Sequence, residues 1–286
     1  MVRYGEIGLK AKATRQIFES KLINHIKTAF KKENISHQIK RLRGRIFINT
    51  DYIDKSIKIL QKIFGITSVS PAMKTSSDIN SMIKLAVDIS YKNLTNKNSF
   101  ALRVTRTGIH KYTSQDIAIK LGNEIVNVIG ASVNLTNPDF ELNIEIRDES
   151  AYFFIEKIRG IGGLPYGSQG KIFSLIRSKN DILAAWYLLK RGCKIVFGIN
   201  DSSSQKHINK FSKIWYLNEP ITVFNSKTDI KLITYKQGCK AVITGYKIDD
   251  FLEIKKLKEK IQLPILTPLI SMSKKEINEK KMEIGF

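Results

Sequence analysis

The spacing of apolar residues changes character along the chain, and the changes mark its parts. Over the first seventy residues strand-like and helix-like stretches alternate. Val2 to Leu9 reads as a strand, and Thr14 is placed to cap a helix carrying Ile17, Phe18, Leu22, Ile26 and Phe30 on one face. Ile35 to Lys40 and Arg45 to Asn49 form a hairpin turning at Arg43-Gly44, followed by a helix through Ile57, Leu60 and Phe64 and a strand ending near Pro71. The order is βαββαβ, the ferredoxin-like pattern.

A second unit runs from about Asp78 to Lys157. Ile79, Met82, Ile83, Leu85 and Ala86 fall on a helix ahead of a strand from Phe100 to Thr105, and Ile117, Ile119, Leu121, Ile125 and Val128 fall on a helix beginning near Ser114. Strands at Phe140 to Arg147 and Ala151 to Lys157 close it. In the first of these, Leu142, Ile144 and Ile146 alternate with Asn143, Glu145 and Arg147, the pattern of a half-buried strand. A glycine-rich linker, Gly160 to Gly170, follows.

Beyond the linker the apolar runs become short and continuous: Ile172 to Ile176, Ile195 to Ile199 and Ala241 to Ile243. They are separated by helical stretches such as Ala184 to Lys190 and Phe251 to Lys260. Short buried strands between helices indicate a parallel, doubly wound sheet. Internal repeats and low-complexity tails are missing from the pattern.

Charge adds a partner class. The 286 residues contain 48 Lys+Arg against 26 Asp+Glu, a net charge of +22, and such an imbalance favours polyanions. The cations cluster, with Lys40, Arg41, Arg43 and Arg45 together and Arg103, Arg106, His110 and Lys111 together. No apolar run approaches the ~20 residues of a membrane span, and Met1 leads straight into a charged strand, so a cytoplasmic protein without membrane partners is expected. Two cysteines far apart and four scattered histidines argue neither a disulfide framework nor a metal site.

The chemistry-bearing candidates fall in three places. Arg103 shares a strand face with Thr105, Arg106 opens a loop in which Gly108, His110 and Lys111 are placed to approach phosphates, and Ser114 is placed to cap the next helix. Capping alone for Ser114 and packing alone for His110 are the competing readings. A second basic surface comes from Lys10, Lys12, Arg15, Arg41, Arg43 and Arg45. Arg159 to Gly192 reads as strand, tight turn and helix, the layout of a phosphate-cradling loop, yet the turn holds Arg177, Ser178, Lys179 and Asn180 where small residues are needed. Cys193 and Cys239 each open a predicted buried strand and read as core residues.

Ordered matches run along nearly the whole chain: RYGEIGLKAK from Arg3, IFGITSVSPA from Ile63, RVTRTGIHKYTS from Arg103, GIGGLPYGSQGK from Gly160, AVITG from Ala241 and PILTPLISMSKKEI from Pro264. On these stretches the sequence resembles the tRNA 4-thiouridine synthetase (tRNA sulfurtransferase) family. The resemblance implies an α/β protein with an N-terminal ferredoxin-like domain (1–75), a THUMP RNA-binding domain (76–165) and a Rossmann-like PP-loop ATP-pyrophosphatase domain (166–286). It implies tRNA as partner, held at the acceptor arm and CCA end, and ATP with magnesium as cofactors where the nucleotide site works.

The family's phosphate motif is Ser-Gly-Gly-x-Asp-Ser after an apolar strand. Leu175 and Ile176 match the strand end, Ser178 lies at a glycine position, Asp181 matches the Asp, and Gly245 survives in the downstream stretch. Arg177, Lys179 and Ile182 replace a serine, a glycine and a serine, and Tyr246 to Phe251 replace the family's glutamine-bearing segment. The resemblance places the family's catalytic cysteine beyond Phe286, so neither that cysteine nor a rhodanese domain is expected to serve this chain. The expectation is a tRNA-binding and presenting protein with an inactive PP-loop, no catalytic residue of its own, and a separate sulfur transferase, an active paralogue or a second copy as protein partner. The alternative is an active ATP-dependent sulfurtransferase that takes its thiol from another chain.

Overall fold

The computed structural model describes residues 1–42, 44–199, 201–218, 221–223 and 230–286, with Ser202 and Val223 described by backbone alone. Its contacts form two compact units, one of Met1 with Ser70–Ile158, the other of Val2–Val69 with Arg159–Phe286.

The second unit begins with β1 (Val2–Tyr4), α1 (Lys12–Lys32), β2 (Gln38–Leu42), β3 (Arg45–Asn49), α2 (Ile53–Leu60) and β4 (Ile66–Val69). Antiparallel pairing gives the strand order β4-β1-β3-β2. Phe18, Leu22, Ile26 and Phe30 of α1 bury on this sheet as expected, but Ile17 is exposed. Two local expectations fail. The chain leaves strand geometry at Gly5 and forms a short 3-10 turn over Glu6–Leu9 rather than extending to Leu9, and α1 starts at Lys12, which puts Thr14 inside the helix instead of at its cap. The Arg43 half of the expected turn lies outside the described residues.

The same unit resumes with β10 (Ile158–Arg159), β11 (Lys171–Ile176), α5 (Lys179–Lys190), β12 (Lys194–Ile199), α6 (Ser202–Ile214), β13 (Ile221–Val223), α7 (Ile230–Lys236), β14 (Ala241–Ile243), α8 (Phe251–Lys260), β15 (Ile265–Leu266) and α9 (Lys274–Glu283). Its sheet is wholly parallel in the order β13-β12-β11-β14-β15, the doubly wound arrangement expected from the short apolar runs. The glycine-rich stretch after β10 is no free linker. Gly160 N and Gly162 N donate to the Thr67 and Ile66 carbonyls, Leu164 N to Lys190 and Gln169 N to Gly192, so it runs as a strap from the first sheet to α5. Phe64, just past α2, stacks on Trp215 (5.3 Å between centroids) and meets Trp186, burying in the core of the parallel sheet.

The other unit contains β5 (Met73–Ser76), α3 (Ile79–Tyr91), β6 (Ser99–Thr107), α4 (Ser114–Ile129), β7 (Ser132–Val133), β8 (Phe140–Arg147) and β9 (Ser150–Phe154), with strand order β5-β9-β8-β6-β7. Met82, Ala86, Ile117, Leu121 and Ile125 bury, whereas Ile119 and Val128 are exposed. Strand β8 departs from the half-buried reading. Asn143 and Glu145 are as buried as Leu142 and Ile144, because the strand is central and Glu145 is satisfied by Arg147 Nη2 at 2.8 Å.

Candidate functional site

In the parallel sheet the chain proceeds from β11 outward to β12 and β13 on one side and to β14 and β15 on the other. The carboxyl ends of β11 and β14 are therefore the topological switch point, where open α/β sheets place their ligands. Leu175 and Ile176 end β11 there, and Ser178 caps α5. The centre is Asp181, 2% exposed. Its carboxylate accepts from Arg177 N, Ser178 N and Ser178 Oγ (3.1, 3.1 and 3.2 Å), from Arg177 Nη2 (2.8 Å) and, across the switch point, from Gly245 N (2.7 Å).

Arg177 completes the closure. Its guanidinium lies over the Tyr246 ring, 4.1 Å from the centroid, and donates to the Tyr246 hydroxyl. Burial, the largest single influence, opposes its charge, but the Asp181 carboxylate and the Tyr246 hydroxyl together hold Arg177 above its ordinary value. Gly245 presses on the start of α5 so closely that a Cβ would stand 2.4 Å from the Asn180 carbonyl carbon. Ser178 is extended (φ −151°, ψ 170°), so this turn forms without the left-handed conformation that glycine would supply. Nothing in residue spacing indicates that Tyr246, 69 residues on, covers Arg177. Beside it, a cavity of about 590 Å³ is lined by Lys247, Ser271, Met272, Ser273 and Lys274.

In the first unit's α/β sheet, Arg106 still belongs to β6, which extends to Thr107, so the loop opens later than expected and carries Gly108, His110 and Lys111. His110 Nε2 donates to the Asp148 carbonyl (2.7 Å), which leaves Nδ1 to accept from Arg106 Nη1 at 3.4 Å. Arg106 and Lys111 are exposed. Arg103 is more constrained: its Nε pairs with Glu141 (2.8 Å) and its Nη2 reaches the Leu135 carbonyl, while that hydrogen bond holds the Glu141 carboxyl below the usual range. Ser114 is not the cap. Thr113 takes that role, its hydroxyl accepting from Asp116 N while Asp116 accepts from Thr113 N, and Ser114 is the first helical residue.

In the ferredoxin-like part, Lys10 and Lys12 are exposed at the entry to α1 and Arg15 is half-buried one turn on. Arg41 is drawn to α1 by Glu19 (3.5 Å), a buried carboxylate that also accepts from the Tyr4 hydroxyl. Burial and Glu19 push the Tyr4 phenol up. Arg45 donates to the Gly44 carbonyl, and Arg43 lies outside the described residues.

Cys193 and Cys239 are buried as expected, and burial pushes both thiols up. Among the described residues no group of three or more His, Cys, Asp or Glu is placed to hold a metal ion, and no helix is long and apolar enough to cross a membrane.

A ferredoxin-like sheet, an α/β unit with a basic loop, and a doubly wound parallel sheet together define the class of THUMP-containing proteins built on a nucleotide-binding fold. Residues 1–70 match the model of the ThiI ferredoxin-like domain and residues 76–156 that of the THUMP domain. Over its whole length the chain is 32% identical to the "Probable tRNA sulfurtransferase" of Methanocaldococcus jannaschii, covering 87% of that protein. It is 31% identical to the protein of the same name from Methanothermobacter thermautotrophicus, covering 84% of it. Among solved structures, PH1313 from Pyrococcus horikoshii Ot3 superposes with a TM-score of 0.86 at 28% identity, over 100% of this chain and 98% of that one. A 4-thiouridine synthetase–RNA complex with bound ATP superposes at 0.79 and 25% identity, over 99% and 84%. The chain belongs to the tRNA 4-thiouridine synthetase (tRNA sulfurtransferase) family.

Proposed function

We propose that this chain binds tRNA and serves tRNA thiolation as a binding and presenting subunit, with its nucleotide-fold domain kept as a scaffold. The observation that carries the reading is the Asp181 carboxylate. It occupies the backbone N–H groups of Arg177, Ser178 and Gly245, the donors a phosphate would need, and draws the Arg177 guanidinium in with it. Tyr246 covers the Arg177 guanidinium, and Gly245 packs against the start of α5. This donor set does not fit a triphosphate cradle, so no step through ATP or magnesium is derived. Both thiols are buried, so the sulfur comes from a separate transferase or an active paralogue.

On this reading the tRNA contact is made by Arg106, His110, Lys111 and, where it can leave Glu141, Arg103, with Ser114 at the start of α4; Lys10, Lys12, Arg15, Arg41, Arg43 and Arg45 contribute a second surface for the acceptor arm and CCA end. The domain division 1–75, 76–165 and 166–286 belongs to the same proposal. A competing reading is favoured by the ATP bound in the 25%-identical neighbour: an active sulfurtransferase whose thiol is supplied by another chain. The deciding experiment incubates the purified chain with tRNA, ATP, magnesium and a sulfur donor, then measures AMP, pyrophosphate and 4-thiouridine. Background values are expected. Stoichiometric thiolation that disappears in Asp181→Ala would establish the active enzyme instead.

A further inference from the structure

At the opposite, amino end of the parallel sheet lies a cavity of about 500 Å³ that none of the site residues above touches. One wall is the α1 face of Lys21, Asn24, His25 and Thr28, at helical spacing and flanking the face that packs on the ferredoxin-like core. Another is formed by Lys171 and Lys194, register partners at the first positions of β11 and β12. The strap supplies the rest: Tyr166 lines the cavity and the Gly167 carbonyl accepts from Lys21 Nζ at 2.5 Å. Gly167 is left-handed (φ +74°), a conformation glycine supplies without strain, and the Lys194 side chain runs beside it.

Two features mark a ligand site. Three lysines and no carboxylate stand among the described residues that line the cavity. And His25, 6% exposed and tilted against Tyr166 at 5.3 Å, has no hydrogen-bond partner on either ring nitrogen. Burial lowers it to about 4; the backbone of Trp215 and Tyr216 favours the protonated ring without attaining hydrogen-bond geometry. At neutral pH the ring is therefore a donor on one nitrogen and an acceptor on the other, both unsatisfied, which is costly in a buried group.

We propose that this cavity binds a small phosphate-bearing anion. The lysines supply point charges of the kind that hold phosphate, and Thr28, Asn24 and Asn218 supply neutral hydrogen-bonding groups. His25 donates to an oxyanion and accepts from a hydroxyl, and Tyr166 offers a ring edge to a base or sugar. The volume is that of a nucleotide-sized pocket. Six residues of β11 separate it from Asp181, about 17 Å of strand, so it is distinct from the closed switch point.

The test is a ring-nitrogen spectrum of the full chain labelled at its four histidines, with the His25 signal assigned by its loss in His25→Gln. Inorganic phosphate, pyrophosphate and AMP are titrated against KCl of matched ionic strength. A saturable His25 shift is expected with phosphate compounds and not with KCl; equal affinity for phosphate and AMP assigns an inorganic anion, tighter AMP a nucleotide. Lys171→Met and Lys194→Met are each expected to weaken binding about tenfold. Thermal melting of the unmodified protein gives a second readout, a rise with AMP or pyrophosphate that KCl does not reproduce. Absence of both responses, equal responses to KCl, affinity unaltered by both lysine changes, or a His25 shift produced by tRNA alone would each overturn the proposal.

Discussion

At the scale of single residues, Asp181 is the hub of the turn between β11 and α5. Asp181 gathers five donated hydrogen bonds in a buried position, so its removal leaves the Gly245 N–H without a partner and the Arg177 guanidinium without its counter-charge. Breaking one side of a buried charged pair costs about 3–5 kcal/mol. Asp181→Ala is therefore expected to lower the urea-unfolding free energy by about 3 kcal/mol or more, and a loss below about 1 kcal/mol would contradict the geometry. His25 makes an independent prediction. Its folded value of about 4 lies below the ordinary 6.5, with Lys32 adding to the burial that causes it. The unfolded chain thus binds the extra proton first, and stability falls as pH drops from about 6.5 through 4, by about 3 kcal/mol from this group. Denaturation curves at pH 7 and pH 4 should show that difference shrink in His25→Gln.

At the scale of elements, periodicity served where one face meets a core and failed where it does not. The buried face of α1 and the short apolar strands β11, β12 and β14 were legible because burial imposes their spacing. Helix α9 was not, since Ile277 alone of its residues is buried, although Ser273 and Glu276 form the Ser-x-x-Glu capping box that would have announced it. Strand β8 misled in the other direction, its polar residues being buried through a Glu145–Arg147 pair that alternation cannot reveal. Arg103 and Arg106 lie on β6 with His110 and Lys111 in the loop beyond it, and the Arg103–Glu141 pair, invisible to sequence spacing, separates Arg103 from its freer neighbours. Arg106→Ala with Lys111→Ala is accordingly expected to weaken tRNA binding tenfold or more and to reduce the salt slope by about 2, while Lys255→Ala with Lys258→Ala on α8 should alter it less. Filter binding at two salt concentrations compares them. For the thiols, strand placement predicts slow alkylation of Cys193 and Cys239 in the folded protein; native labelling as fast as in denaturant would show that either strand opens.

At the scale of the whole molecule, two features bear on the proposed binding role: the net charge and the hydrogen bonds that converge on Asp181. The net +22 is an electrostatic footprint that acts at a distance, whereas the Asp181 closure is a local arrangement that no composition could announce. The sequence places Arg177 and Tyr246 far apart; only the packing brings the guanidinium over the ring. If tRNA is the partner and about 6 phosphates are neutralised, each releases condensed counterions and the logarithm of the affinity falls linearly with that of salt. Between 50 and 200 mM salt the association constant should then drop on the order of 10³-fold. A filter-binding series over that range, carried out with and without ATP, separates the two readings of the protein in one measurement: a steep salt slope unaffected by ATP belongs to a binder with a closed switch point, a slope that ATP shifts belongs to a working nucleotide site, and a flat response would remove the case for tRNA altogether.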